Sequence, residues 1–371
     1  MPTKETEVAI IGGGPAGTAA ALTLLRYTPH RVTLVERSSY QQPRVGETVS
    51  SAIVPLLEYL GATDCLRESA AVESFSNAAA WGSDQLTVRD HLFTGRGNGW
   101  HLDRRRFDLA LGDLALAAGA VTLRGCSLRR ATQVEDNRWL LSVEGSVTTE
   151  ILASQIIDAS GRQASFARHV GAVTSCVDQL VGIVAYFAEL DPQITLHSTF
   201  VEAESFGWWY AALLPNSKAV VAFMTDPAHV RQFDVNEWPG FRRRLQQTQH
   251  ISNFVSAPEA IPELHIHSAA SQHLRPAIGD GWIAAGDAAA AFDPLSSLGI
   301  GHALSSGIQA ARVVDTRLCG DEELASTYPS DVLRFADEFL SRRSAIYEAE
   351  RRWPNSPFWR SRQVPVAPLR P

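Results

Sequence analysis

Lysine is almost missing. Only Lys4 and Lys218 are lysines, so arginine carries nearly all of the positive charge. The formal net charge of −7 leaves no basic excess, which argues against a nucleic-acid partner. Long apolar runs are also lacking. No stretch approaches the roughly 18 uncharged apolar residues of a membrane span, so no membrane partner is expected. The four cysteines, Cys65, Cys126, Cys176 and Cys319, are scattered with no C-x-x-C pair. That excludes the usual zinc and dithiol patterns and leaves reduced thiols. His265 and His267 share one face of a strand, but no third ligand is evident and no metal is expected. The chain runs almost at once into an apolar strand with no signal-peptide pattern, which predicts a cytoplasmic protein. At 371 residues it is too long for one small core, and two interleaved domains are expected.

What is present is organised around residues 7–36, EVAIIGGGPAGTAAALTLLRYTPHRVTLVE. An apolar strand over Val8–Ile11 meets a glycine-rich turn. A helix from Ala16 to Leu25 follows, then a second strand over Val32–Val35. This is a βαβ unit with G-x-G-x-x-G at Gly12, Gly14 and Gly17. Gly12 makes the turn out of the strand. Gly14 lets the backbone approach a pyrophosphate, and Gly17 lets helix and strand pack closely. Pro15 and Ala16 open the helix, whose positive end faces the phosphates. Glu36 stands where an acid can grip a ribose hydroxyl, with Arg37 beside it. The acid disfavours a ribose 2′-phosphate, so the site should take FAD or NAD rather than NADP.

Rossmann-like pieces lie at the start, middle and end of the chain, with sheet-like pieces between them. The expected fold is α/β: a Rossmann-like FAD-binding domain, an interleaved antiparallel β-sheet substrate domain and a helical C-terminal region. The first would comprise residues 1–71, 100–177 and 270–320. The second would comprise 72–99 and 178–269, followed by helices over 321–352 and a proline-rich tail over 353–371. Within these, TVSSAIVPLLEYLGA reads as a helix capped by Thr48 or Ser50 and stopped by Gly61. Residues 120–153 read as a three-stranded meander. Strand candidates follow at 180–190, 194–203, 207–215 and 219–226, a helical interruption at about 237–255, and one further strand over 264–274. The tail reads as an extended strap or a disordered end.

A second motif is Gly286-Asp287, after the strand Trp282–Ala285. Such an acid can bond a ribityl chain while Gly286 lets that chain pass. The loop from Asp293-Pro294 to Gly299-Ile300-Gly301 precedes a helix and can present N–H groups to a flavin. These motifs, with Arg44-Val-Gly46-Glu47, LDRRRFD at 102–108 and Asp158-Ala-Ser-Gly161-Arg162, come in an order that resembles the single-component FAD enzymes of the para-hydroxybenzoate hydroxylase fold. That group includes aromatic hydroxylases, geranylgeranyl reductases and flavin-dependent halogenases. The resemblance implies FAD as cofactor, Arg44 and Arg104 near its pyrophosphate or ribityl region, and Asp158 and Gly161 as its Asp-Gly motif. That motif is loosened here by two inserted residues, which puts NAD(P)H use in doubt; a transient nicotinamide donor stays open.

RVGETVSSAIVPLLEYLG and GWWYAALLP look like the halogenase branch. Halogenases, however, relay hypohalous acid through a lysine downstream of the Gly-Glu segment, and none lies between Glu47 and Lys218. The chain more closely resembles the flavoproteins that mature cysteine tryptophylquinone oxidases. This resemblance implies a monooxygenase that hydroxylates a Trp side chain of a precursor oxidase, using molecular oxygen through a flavin C4a-hydroperoxide. A small-molecule aromatic hydroxylase of a natural-product pathway, a reductase or dehydrogenase, a non-catalytic flavin-binding maturation chaperone and, least favoured, a halogenase remain as alternatives. In the expected site, Trp208 and Tyr210 share one strand face as a pocket wall, with Trp209 on the other. Glu47 is the acid nearest the flavin, Pro294 lies in the flavin loop, and His302 opens the helix after it.

Overall fold

The computed structural model describes residues 3–91, 97–187, 197–253 and 261–364. Parts of the expected substrate-domain segment 72–99, of the strand candidates 180–190 and 194–203, of the interruption 237–255 and of the tail lie outside these residues.

The fold is α/β with a Rossmann-like layer. Its spine is the strand Thr3–Ile11, whose Val8 to Ile11 are buried, as an apolar run covered on both faces must be. It pairs in parallel with Val32–Glu36 on one side and Thr149–Asp158 on the other. Val121–Arg124 extends the sheet beyond the first, and Trp282–Ala284 beyond the second. The sheet is therefore assembled from distant parts of the chain. The helix Pro15–Tyr27 crosses it and buries a nearly continuous run from Pro15 to Leu24. The helix Gly299–Leu318 packs against it, with Gly307 against Ala16, and the N-termini of both helices lie on the same side.

The second large sheet has seven strands in the order Leu264–Ser268, Val181–Phe187, Lys218–Thr225, Gly207–Leu214, Ser198–Glu204, Ser76–Ala80 and Thr87–Asp90. Neighbours run antiparallel except Ser198–Glu204 beside Ser76–Ala80. Alternation along the strands divides its side chains as the two-residue period requires. Trp209 and Phe223 pack against Phe241 and Leu245 of the helix Trp238–Leu245. Trp208, Ala212 and Met224 face the other way, toward Tyr347, Phe358 and Trp359.

Several sequence expectations change. The run 48–61 is not one helix: Thr48–Val49 pairs with Gly99–His101, and the α-helix is Val54–Leu60. The side chains of Thr48 and Ser50 do not cap it. Gly61 does stop the helix, in the left-handed region at φ 63°. The expected meander splits at Gly125. Val121–Arg124 joins the parallel sheet, and Cys126–Gln133 pairs antiparallel with Trp139–Gly145. The strand over 264–274 is two, Leu264–Ser268 and Gln272–Arg275, in different sheets.

The tail differs most. Proline at the first helical position suits a helix start, and Pro357–Arg362 is a helix that follows the long helix Glu323–Ala349. Phe358 and Trp359 are fully buried. The Trp359 indole N–H donates to the Glu204 carbonyl at 2.9 Å, and Arg362 pairs with Asp226. The aromatic content of this segment, rather than its prolines, decides its state.

Trp359→Ala should cost about 3–5 kcal/mol of unfolding free energy, as truncations of buried aromatics do, measured by urea denaturation. A pH effect is expected at His101, which is fully buried and bonded through Nε2 to Thr199 Oγ1 at 3.0 Å. Burial holds its pKa down to about 4. The unfolded chain protonates this histidine first, so its contribution is whole above about pH 6.5 and is lost as pH falls toward about 4. Urea titrations across that window should show about 3 kcal/mol of pH-dependent stability that His101→Gln removes.

Candidate functional site

The glycine turn is held by packing on one side and left open on the other. A side chain at Gly17 would begin 1.8 Å from the Gly12 carbonyl oxygen, and one at Gly12 would begin 2.2 Å from that of Ala159. At Gly14 the nearest atom would be Arg44 Nη1, 4.0 Å away. Gly14, Pro15 and Ala16 therefore edge a cleft of about 350 Å³. The free N–H groups and the dipole of Pro15–Tyr27 bias this end of the cleft toward an anion.

The second loop enters the same cleft. Asp293 is fully buried and accepts from the Leu295 N–H at 3.0 Å, which fixes the turn that carries Pro294. Pro294, Gly299 and Ile300 line the cleft, so the N-terminus of the helix Gly299–Leu318 opens there too. Gly161 lines it opposite, and Asp287, 38% exposed by side chain, lies 3.7 Å from Arg162 Nε. Gly286 also serves helix packing: a Cβ there would sit 2.7 Å from that of Ala16. Arg162 was not expected at the site, yet it lines the cleft and ties the layers by donating to the carbonyls of Ala270 and Phe292.

Glu36, Arg37, Arg44 and Asp158 are not among the residues that line the cleft. Glu36 is buried and accepts from the Gly13 N–H at 2.6 Å, from Ser38 and from Arg44. Arg44 bridges Glu36 to the fully buried Asp108 at 2.8 Å. Glu36 thus braces the glycine turn through Gly13, and Arg44 stands beside the open side of Gly14. Arg37 bonds Gln163 near the surface. Asp158 is fully buried and accepts from the N–H groups of Ser160 and Ala167, anchoring the turn after its strand. Burial pushes its carboxyl above the usual range. Arg104 does line the cleft, braced by Asp108 and by the carbonyls of Val45 and Gly46. His302 does not line it. Its ring stacks on Phe335 at 4.7 Å and meets Phe292 edge-on at 4.9 Å, and burial lowers its basicity.

At the far end the seven-stranded sheet forms the wall. Trp208 and Tyr210 both face the cleft, while Trp209 stacks on Phe223 on the opposite face at 4.6 Å. Trp208 donates its indole N–H to Tyr347 Oη at 3.0 Å, and Tyr347 donates to Asp293 at 2.8 Å. Arg343 joins Asp293 to Asp178. Glu47 is buried at the cleft wall and accepts from Tyr186 Oη at 2.7 Å. Thr48 and Tyr210 share a hydroxyl bond of 2.6 Å. Burial raises the Glu47 carboxyl, against the lowering effect of Tyr186 and Arg104. Lys218 is exposed at the start of its strand, and no lysine lines the cleft among the described residues.

This donor set fits FAD. Two helix N-termini, side-chain-free positions at Gly14, Gly161 and Gly299, the arginine Arg104 and the acid Asp287 line one cleft, the set that a dinucleotide with a ribityl chain requires. Gly14 has extended backbone, at φ −78° and ψ −173°, which valine also adopts. Gly14→Val should therefore leave the unfolding free energy of the flavin-free protein within about 0.5 kcal/mol. Its side chain would block the pyrophosphate path, so FAD affinity, read from flavin absorbance after dialysis, should fall at least about tenfold, the equivalent of about 1.4 kcal/mol.

The chain matches the FAD binding domain family over residues 5–343. It is 33% identical over 361 residues to LodB of Marinomonas mediterranea, named as an FAD-dependent oxidoreductase, covering 96% of each chain. Its fold resembles that of the flavin-dependent halogenase CmlS, with a TM-score of 0.86, 25% identity and coverage of 98% of this chain and 68% of that one. QhpG, a peptidyl tryptophan dihydroxylase essential for tryptophylquinone cofactor biogenesis, aligns with a TM-score of 0.77 and 25% identity over 97% of this chain and 79% of that one. Among the described residues, no helix is long and apolar enough to cross a membrane, and no group of three or more His, Cys, Asp or Glu could hold a metal. With the motifs, the cleft and these likenesses in agreement, the chain belongs to the FAD binding domain family as an FAD-dependent oxidoreductase of its halogenase- and hydroxylase-like branch.

Proposed function

We propose that this protein is a monooxygenase that hydroxylates an electron-rich aromatic ring, and that the ring is a tryptophan side chain of a precursor oxidase during cysteine tryptophylquinone biogenesis. The observation that carries the reading is the lysine-free cleft, which runs from the cofactor loops to an aromatic wall. A halogenase relay has no lysine to use there. The similarity to LodB over almost the whole of both chains supports an FAD-dependent oxidation, and the likeness to QhpG, a peptidyl tryptophan dihydroxylase, supports a protein substrate.

Bound FAD, when reduced, supplies the electrons and the activation of O2 for such a reaction. The chain's own residues do the rest. Gly14 to Ala16, Gly161, Asp287 and the start of Gly299–Leu318 hold the cofactor. The dipole of that helix favours negative charge developing beside Pro294 and Ile300. Trp208 and Tyr210 form the wall for the incoming ring, with the apolar Val184, Val220 and Met224 beside them keeping water away. Glu47 is the acidic side chain at that end placed to handle a proton.

Co-expression with a candidate quinone-oxidase precursor tests the proposal. The precursor's intact mass should gain oxygen, localised by peptide mapping to a tryptophan, only when the flavoprotein is present. Identical precursor masses with and without it would overturn the protein-substrate reading. A non-catalytic chaperone would instead support maturation even in a Gly14→Val background that has lost FAD.

A further inference from the structure

The strand Val181–Phe187 reads in sequence as plain core, yet it places one polar group at the site. Gly182 and Val184 line the cleft, and Tyr186 follows on the same face by strand alternation. Its hydroxyl reaches across to the cofactor layer and donates to Glu47 Oε1 at 2.7 Å. The other carboxylate oxygen, Oε2, accepts from the Gly46 N–H at 2.9 Å. Glu47 is therefore pinned from both sides in the cleft wall while only 4% exposed. The hydrogen-bond donors that hold it are a phenol and a backbone amide. Its charged neighbour is Arg104, whose guanidinium is committed to Asp108 and to two backbone carbonyls. Tyr210 lies near but spends its hydroxyl on Thr48. The His265 ring lies tilted beside the Tyr186 ring, with centroids 6.0 Å apart.

We propose that Glu47 and Tyr186 form the proton-handling pair of this site, Glu47 as the group that takes the proton released by the oxygenated ring and Tyr186 as a positioning residue that acts through it. The inference deepens the proposed hydroxylation and rests on it for the identity of the ring. In that reaction one atom of O2 forms a C–O bond to the ring and the other leaves as water. Reduced flavin supplies two electrons and solvent two protons. The ring carbon loses its hydrogen as H⁺, and the electrons of that C–H bond restore aromaticity. A carboxylate at the wall is the acceptor for this proton, which then passes to solvent. Tyr186 keeps the acceptor in one orientation and stabilises its charged form, since a phenol donating to a carboxylate favours the anion.

Two titrations test the pair in the FAD-loaded protein. The first needs no turnover: pH-difference infrared spectroscopy follows the protonated-carboxyl band that Glu47→Gln removes. Tyr186→Phe takes away a donor to the anion, so the Glu47 midpoint should move up by about one to two pH units, a ten- to hundredfold change in acidity. Tyr210→Phe breaks the parallel bridge to Thr48 and should leave that midpoint in place. Should Tyr186→Phe not accumulate as a folded flavoprotein, 3-fluorotyrosine at position 186 keeps the shape with a more acidic phenol and should lower the midpoint. The second titration follows oxygenation of the precursor, whose rising pH limb should move with the infrared midpoint in each variant. A Glu47 midpoint that ignores both changes at position 186, or a pH limb that stays fixed while the midpoint moves, would overturn the inference. Absence of oxygenation by the unaltered protein would overturn the proposed function instead, because the infrared titration is read without substrate.

Discussion

Asp293 is the residue on which the arrangement depends. Its fully buried carboxylate fixes the cofactor loop through Leu295 N–H, receives Arg343 and Tyr347 from the long C-terminal helix, and through Tyr347 orients Trp208 in the substrate wall. Arg343, itself 3% exposed, carries the chain of contacts on to Asp178. A buried ion pair contributes little net stability once desolvation is counted, but losing one partner strands the other at a cost of about 3–5 kcal/mol. The cluster is thus better understood as a device for register than as a source of stability. It makes the loop, the helix and the sheet adopt their positions together.

The two layers meet at a cleft whose ends have different chemistry. The cofactor end offers mostly backbone, helix N-termini and positions without side chains, with Arg104 and Asp287 beside them. The substrate end is made of side chains from a stiff antiparallel sheet, where alternation puts one set of aromatics at the site and the other in a core. Hydroxyl bonds cross between them, Tyr186 to Glu47 and Tyr210 to Thr48, and span the junction with directional contacts rather than apolar area. Rigid walls of this kind suit a reaction in which geometry and dryness matter more than covalent participation by the protein.

Much of this was legible in the sequence because the signals are local. The glycine fingerprint declares its turn within a few residues, and two-residue periodicity put Trp208 and Tyr210 on one face and Trp209 on the other. The lysine shortage was visible by inspection. What escaped was set by partners far away in the chain. Tyr186 sits in an unbroken apolar run, and its partner is 139 residues distant. The glycine-to-acid spacing offered Glu36, and the family resemblance Arg44, as ligand contacts; neither could show that Arg44 also pairs with Asp108, 64 residues away. His302 stands at a helix start near the flavin loop, but its position on that helix turns the ring toward Phe292 and Phe335. Proline content suggested a loose tail, whereas Phe358 and Trp359 had an apolar face to cover.

The interleaving of the two sheets bears on how the chain is made. The glycine turn is synthesised first, but the parallel sheet lacks Trp282–Ala284, and the cofactor site lacks its second loop, until the strands of the substrate sheet between residues 181 and 225 have left the ribosome. The wall around Trp208 is covered only later, when Tyr347 and Trp359 arrive. A nascent chain that has shown its nucleotide fingerprint therefore has no complete seat for a flavin. A product truncated before residue 293 would lack the second cofactor loop and so part of the flavin seat.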